Sequence, residues 1–205
     1  GASSGAVTSY TFYNVTAGHT IEAYFVQRPV LYVNETAAGA NNGTSWFDAY
    51  RELSDALAAA TPGTDIWIAQ GTYSPVPAGS YTSASPERTT SFNVPADVDL
   101  YGGFGGWESR VTEADPKTYE TILSGDLNRD DAGTWPSLSN TSENACRILA
   151  IQAETTLSGL IVERANANQG GFTFSAGCQA GGMDIAIEDC VFRYNHADNN
   201  GGGLA

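Results

Sequence analysis

The chain is poor in basic residues: 9 Lys+Arg stand against 23 Asp+Glu, a formal net charge of −14 over 205 residues. Nothing here neutralises a run of phosphates, so nucleic-acid binding is excluded as a function class. No apolar run approaches the roughly 20 residues that a membrane-spanning helix needs. No signal-peptide pattern opens the chain at Gly1-Ala2-Ser3-Ser4-Gly5; secretion then implies a leader removed or lying outside this sequence. Only three cysteines occur, Cys146, Cys178 and Cys190, and their spacing fits no zinc pattern. A local disulfide between Cys178 and Cys190 is one reading, with Cys146 left as a buried free thiol.

What is abundant is turn chemistry: 23 glycines, with Thr, Ser and Asn recurring throughout. Such a composition suits a β-protein with many corners. Residues 6–27 read as a hairpin, with strands Tyr10–Val15 and Thr20–Val26 around Thr16-Ala17-Gly18-His19. An isolated hairpin is marginal in water, so it needs a sheet to join. Gln27-Arg28-Pro29 breaks the pattern, giving an expected division at residue 28 between a β module (1–28) and a larger unit (29–205). Thr44 or Ser45 is a good N-cap, and Trp46, Tyr50, Leu53 and Leu57 follow at helical spacing until Thr61-Pro62-Gly63. The spacing predicts one helix over 45–60.

Beyond it come short apolar strands with Gly corners: Asp65–Ala69, Ser91–Val94, Val98–Tyr101, Thr121–Ser124 and Arg147–Ile151. The segment Leu157–Asn168 then aligns with Ile187–Asp198 at an offset of 30, both copies running into glycines. A repeat of that length built from short strands marks stacked coils, each burying its apolar face only against its neighbours.

Leu31-Tyr32-Val33, Asn41–Trp46, Ala49-Tyr50, Leu53, Ala56-Leu57, Asp65–Ala69 and Gly71-Thr72-Tyr73 together resemble the opening of bacterial right-handed parallel β-helix repeat proteins, the pectin-lyase-like surface proteins. Val98, Leu100–Gly106, Glu108, Thr121–Asp126 and Gly201–Gly203 continue the resemblance over about residues 30–205. It implies an all-β right-handed parallel β-helix, a solenoid, with residues 45–60 as an N-terminal capping helix and further coils beyond residue 205. The hairpin resembles the last two strands of B-repeat modules of bacterial surface proteins.

The best metal candidate is Asp126, Asn128, Asp130 and Asp131, oxygen side chains at nearly alternating positions that suit calcium. Asp131 stands where an EF-hand has Gly, and Ser137 where it has the bidentate Glu. A solvated acidic loop is the plainer expectation. Trp107 and Trp135 sit in Gly/Asp-rich loops and are candidates for stacking on sugar rings, against loop-anchoring roles. His196 and Asp198 crowd one corner, but Asn166 and Asn168 fill the matching corner one repeat earlier, so turn roles are expected there. No residue set matches a lyase or hydrolase motif, so no catalytic residue is assigned.

The expected function is an extracellular or cell-surface structural and adhesive solenoid, self-assembling through exposed strands. Its partners would be other copies, cell-surface molecules or polysaccharide. The alternatives are the N-terminal part of a polysaccharide lyase or glycoside hydrolase, and a calcium-stabilised carbohydrate-binding module.

Overall fold

A computed structural model describes residues 27–205 except 78–79, 82–86, 134–136, 169–175, 182–183 and 200. Both strands of the hairpin expected over 6–27 lie outside the described residues.

The described chain is mostly β, with one α-helix. It runs through β1 (Val30–Val33), α1 (Leu53–Ala59), β2 (Thr64–Ala69), β3 (Gly71–Tyr73), β4 (Phe92–Val94), β5 (Val98–Phe104) and β6 (Thr121–Ser124). It continues through β7 (Leu149–Ile151), β8 (Thr155–Ser158), β9 (Leu160–Glu163), β10 (Asn166–Ala167), β11 (Cys178–Ala180), β12 (Ile185–Glu188), β13 (Val191–Arg193) and β14 (His196–Ala197). The strands form sheets in the orders β1-β2-β5-β8-β12, β3-β6-β9-β13, β4-β7-β11 and β10-β14. Every pairing between these strands is parallel. From β3 to β9 the chain visits the three larger sheets in a fixed cyclic order, adding one strand to each at every return.

The sequence repeat is also the register. Thr155 pairs with Ile185, Ile161 with Val191 and Asn166 with His196, an offset of 30 in each case. Backbone corners follow the same spacing. Glu154 and Asp184, Gly159 and Asp189, and Arg164 and Tyr194 all have left-handed φ, between 48° and 69°. For non-glycine residues that region is sparsely allowed, so its recurrence at equivalent positions reflects a turn that the stacking imposes.

In-line apolar rows build the core. Leu31, Ile66, Leu100, Leu157 and Ile187 are successive partners across the five-stranded sheet, and the middle three are fully buried. Leu123 and Val162 from the second sheet, and Phe92 and Leu149 from the third, complete the same cluster. Each such side chain contributes about 1.5–3 kcal/mol by leaving water.

The helix is shorter than the spacing predicts. It spans Leu53–Ala59, follows Glu52 without a side-chain cap, and buries Leu53, Ala56 and Leu57, packing against β1, β2 and β4. Residues 45–52 are not helical because their backbone groups are committed elsewhere. Tyr50 N–H donates to Tyr32 O at 2.9 Å and Tyr50 O accepts from Asn34 N–H at 2.8 Å, tying residue 50 to β1. Asp48 O accepts from both Asn42 and Gly43 N–H. Trp46 joins an aromatic group with Tyr32, Trp67 and Phe104, in which Trp67 and Phe104 stack at 5.1 Å.

Candidate metal centre

The segment between β6 and β7 leaves the sheets and folds on itself. Its root is close-packed: a Cβ on Gly125 would come within 2.5 Å of Arg164 O, so that position requires glycine. Leu127 is buried in a small apolar cluster with Val76 and Ala145, which fixes the residues on either side of it. Asp126 then organises the turn. Its Oδ1 accepts from Asp130 N–H and its Oδ2 from Asp131 N–H, both at 3.1 Å. Ala132 and Ser139 pair antiparallel, and Asn140 Nδ2 donates to Asp130 O at 2.9 Å. That pairing returns Glu143 and Asn144 to the acidic end.

As a result Asp126, Asp130, Asp131 and Glu143 each offer a carboxylate oxygen, and these atoms lie within 4.8 Å of one another. The residues Asp126 and Glu143 are buried, at 5% and 7% exposure, and the Asp131 side chain is fully buried. Asp130 is exposed. One cation answers them: Arg164 Nη1 lies 3.7 Å from Asp126 Oδ2 and 3.5 Å from Asp131 Oδ2. Arg164 is itself shared, since its Nε pairs with Glu163 at 3.1 Å. Burial, reinforced by Asp130 and Asp131, pushes the Glu143 carboxyl up to about 7. Burial and the neighbouring Asp126 also raise Asp131, against the opposing pull of Asn144 and Arg164.

Three acceptors in this cluster are left over. Asp131 Oδ1, Glu143 Oε1 and Asn144 Oδ1 are buried without a hydrogen-bond partner among the described residues. Asn144 spends its amide donor on Asp131 Oδ2 at 2.9 Å and Arg164 O at 2.8 Å, which leaves its oxygen on the same side of the balance as the carboxylates. A buried acceptor without a donor costs about 1–3 kcal/mol. Two of these oxygens belong to the four carboxylates themselves, and a bound cation would satisfy all three, so the cluster can hold a metal ion.

Of the residues expected as ligands, Asp126, Asp130 and Asp131 converge, while Asn128 is exposed. Glu143 and Asn144 join them unforeseen. No local motif marks these two, because the Ala132–Ser139 pairing brings them in.

Trp107 is 66% exposed, and Trp135 lies outside the described residues. The Cys178–Cys190 disulfide is not formed: all three cysteines are free thiols, Cys146 and Cys178 buried. The corner at 195–198 is partly strand rather than turn: His196 and Ala197 form β14, paired with Asn166 and Ala167 of β10. Asn195 Oδ1 accepts from Ala165 N–H at 3.0 Å and its Nδ2 donates to Val162 O at 2.8 Å, while the His196–Asp198 pair is exposed. No helix among the described residues is long and apolar enough to cross a membrane. Comparison of the chain with protein-family models, curated proteins and solved structures finds no match.

Proposed function

We propose that this chain is part of an extracellular right-handed parallel β-solenoid, a structural and adhesive surface scaffold whose β6–β7 loop is clamped by calcium. Supporting the solenoid are the all-parallel pairing, the cyclic return to each sheet and the 30-residue register. The observation that carries the calcium clamp is the trio of buried, unpartnered oxygens on Asp131, Glu143 and Asn144. The ligand set is all oxygen, which suits a hard cation; the irregular arrangement of side chains from two distant turns suits calcium better than the strict octahedron of magnesium. With Asp130 on the surface and Arg164 competing for charge, the affinity belongs to the weak class of extracellular modules, on the order of 0.1–1 mM. Such a site fills where calcium is plentiful, which agrees with an exported protein. Its role is structural: an ion bound only by the folded state adds about 2.7 kcal/mol at a hundred times its dissociation constant.

The test is titration of calcium into the EDTA-stripped full chain by calorimetry, with thermal unfolding alongside. One site per chain and a calcium-dependent rise in Tm are expected. Absence of binding at 10 mM calcium, or a Tm indifferent to chelator, refutes the clamp.

A further inference from the structure

Along β3 and β6 lies an open cleft of about 600 Å³ whose lining includes Asn34, Glu35, Gln70, Thr72, Lys117 and Glu120. Gly105 also lines it, and a Cβ there would collide with the Trp107 ring, so the indole lies against one of the lining residues. Tyr119, between the lining residues Thr118 and Glu120, stands perpendicular to that ring with centroids 5.4 Å apart.

The backbone that carries the exposed Trp107 is pinned. The buried Glu108 carboxylate accepts N–H groups from Gly105 at 2.6 Å, Gly106 at 3.0 Å and Trp107 at 2.9 Å. Glu108 O in turn accepts the Trp46 indole N–H at 2.9 Å. A carboxylate taken out of water and three backbone donors therefore fix a loop whose largest apolar side chain faces solvent. An aromatic platform beside amide, hydroxyl and charged side chains matches the two-sided chemistry of a sugar: apolar C–H groups on the ring face, hydroxyls around the edge. Because the backbone under the platform is already pinned, binding does not have to order it.

Charge narrows the class. Glu35 and Glu120 line the cleft against Lys117, Arg129 meets Glu35 only at 3.7 Å, and the whole chain carries −14. Two carboxylates and two cations leave the cleft without net positive charge to hold a polyanion, and the charge of the whole chain weighs against one. We infer that this cleft binds a neutral glycan, built of hexose or N-acetylhexosamine units, with Trp107 as the stacking platform and the cleft side chains reading hydroxyls. This goes beyond the scaffold reading and shares no residue with the calcium cluster.

The experiment uses the full chain in calcium. It is titrated by calorimetry with gluco-, manno-, xylo- and N-acetylchito-oligosaccharides and, as the charged arm, oligogalacturonates. At least one neutral series should bind and the oligogalacturonates should not. Trp107→Ala should weaken binding by about tenfold or more while lowering Tm by no more than the few degrees that loss of the Tyr119 contact allows, and Gln70→Ala should weaken it independently. Binding to no neutral series, preference for oligogalacturonate, or wild-type affinity in both variants overturns the inference.

Discussion

Replacing Glu143 by Gln should make the protein more stable without calcium and less stable with it. In the calcium-free chain Glu143 sits within 4.8 Å of three other carboxylates with no hydrogen-bond donor for its Oε1. One like-charge pair at that separation, in an effective dielectric of about 20, costs about 3 kcal/mol. Burial, with Asp130 and Asp131, raises the Glu143 carboxyl from 4.5 to about 7, the direction that this repulsion requires. A raised carboxyl means that the folded chain holds a proton which the unfolded chain releases. That stability is fully present below pH 4.5 and is lost as pH rises through about 7. Guanidinium unfolding in EDTA should therefore show wild type weakening from pH 5 to 8, and Glu143→Gln staying flat. At pH 8 the variant should lead by about 3 kcal/mol, or about 6–12 °C in Tm for a chain of this size. In saturating calcium the order should reverse, because the amide supplies a weaker ligand and no charge. A variant less stable than wild type in both buffers, or an identical calcium response in the two proteins, would refute the reasoning.

Leu157→Ala removes a fully buried side chain between Leu100 and Ile187, and should cost about 2–5 kcal/mol in urea unfolding. The half-buried Ile187→Ala should cost clearly less, and a loss below about 1 kcal/mol at Leu157 would contradict the stacked core. Glu108 is held below its ordinary 4.5: burial opposes this, but the N–H groups of Gly105, Gly106 and Trp107 outweigh it. The contribution is present above pH 4.5 and lost as pH falls through the depressed value, so amide exchange at 105–107 should accelerate on acidification once corrected for intrinsic rates. Glu108→Gln should bring that acceleration to neutral pH; protection unchanged in the variant would remove the role assigned to the carboxylate. Arg129, within the β6–β7 loop, donates to Thr72 O at 2.9 Å and meets Glu35, both at the cleft. Chelation should therefore weaken glycan binding several-fold in wild type and not in Arg129→Ala, and equal weakening in both would exclude this link.

The strands were legible because their signal is local. Ile66, Leu100 and Leu157 each stand in a short apolar run bounded by turn residues, and the stacking brings such runs together in register without rearranging them. The repeat at an offset of 30 needed only two copies to fix which residues are neighbours, and Thr155–Ile185 and Asn166–His196 pair as it requires. The helix failed in the complementary way. Trp46 and Tyr50 continue the spacing of Leu53 and Leu57, yet periodicity records only which side chains are apolar. Tyr50 is apolar toward β1, a neighbour by pairing, and Trp46 toward Phe104, a neighbour 58 positions away in sequence.

The acidic cluster shows where local reading stops. Asp126, Asp130 and Asp131 announce themselves because one short turn holds them, and the Asp126 bonds to the 130 and 131 amides are local as well. An acidic turn of that kind, alone, is content in water. What changes its chemistry is the arrival of Glu143 and Asn144, which convert solvated carboxylates into a buried excess of acceptors. That conversion depends on the Ala132–Ser139 pairing, on Asn140 reaching Asp130 O, and on Leu127 finding Val76 some 50 residues earlier in the chain. None of these is a property of the ligand residues. A binding site assembled from one turn can be read as a motif; one assembled by closing a long loop is visible only once the loop's own small core is known to hold it shut.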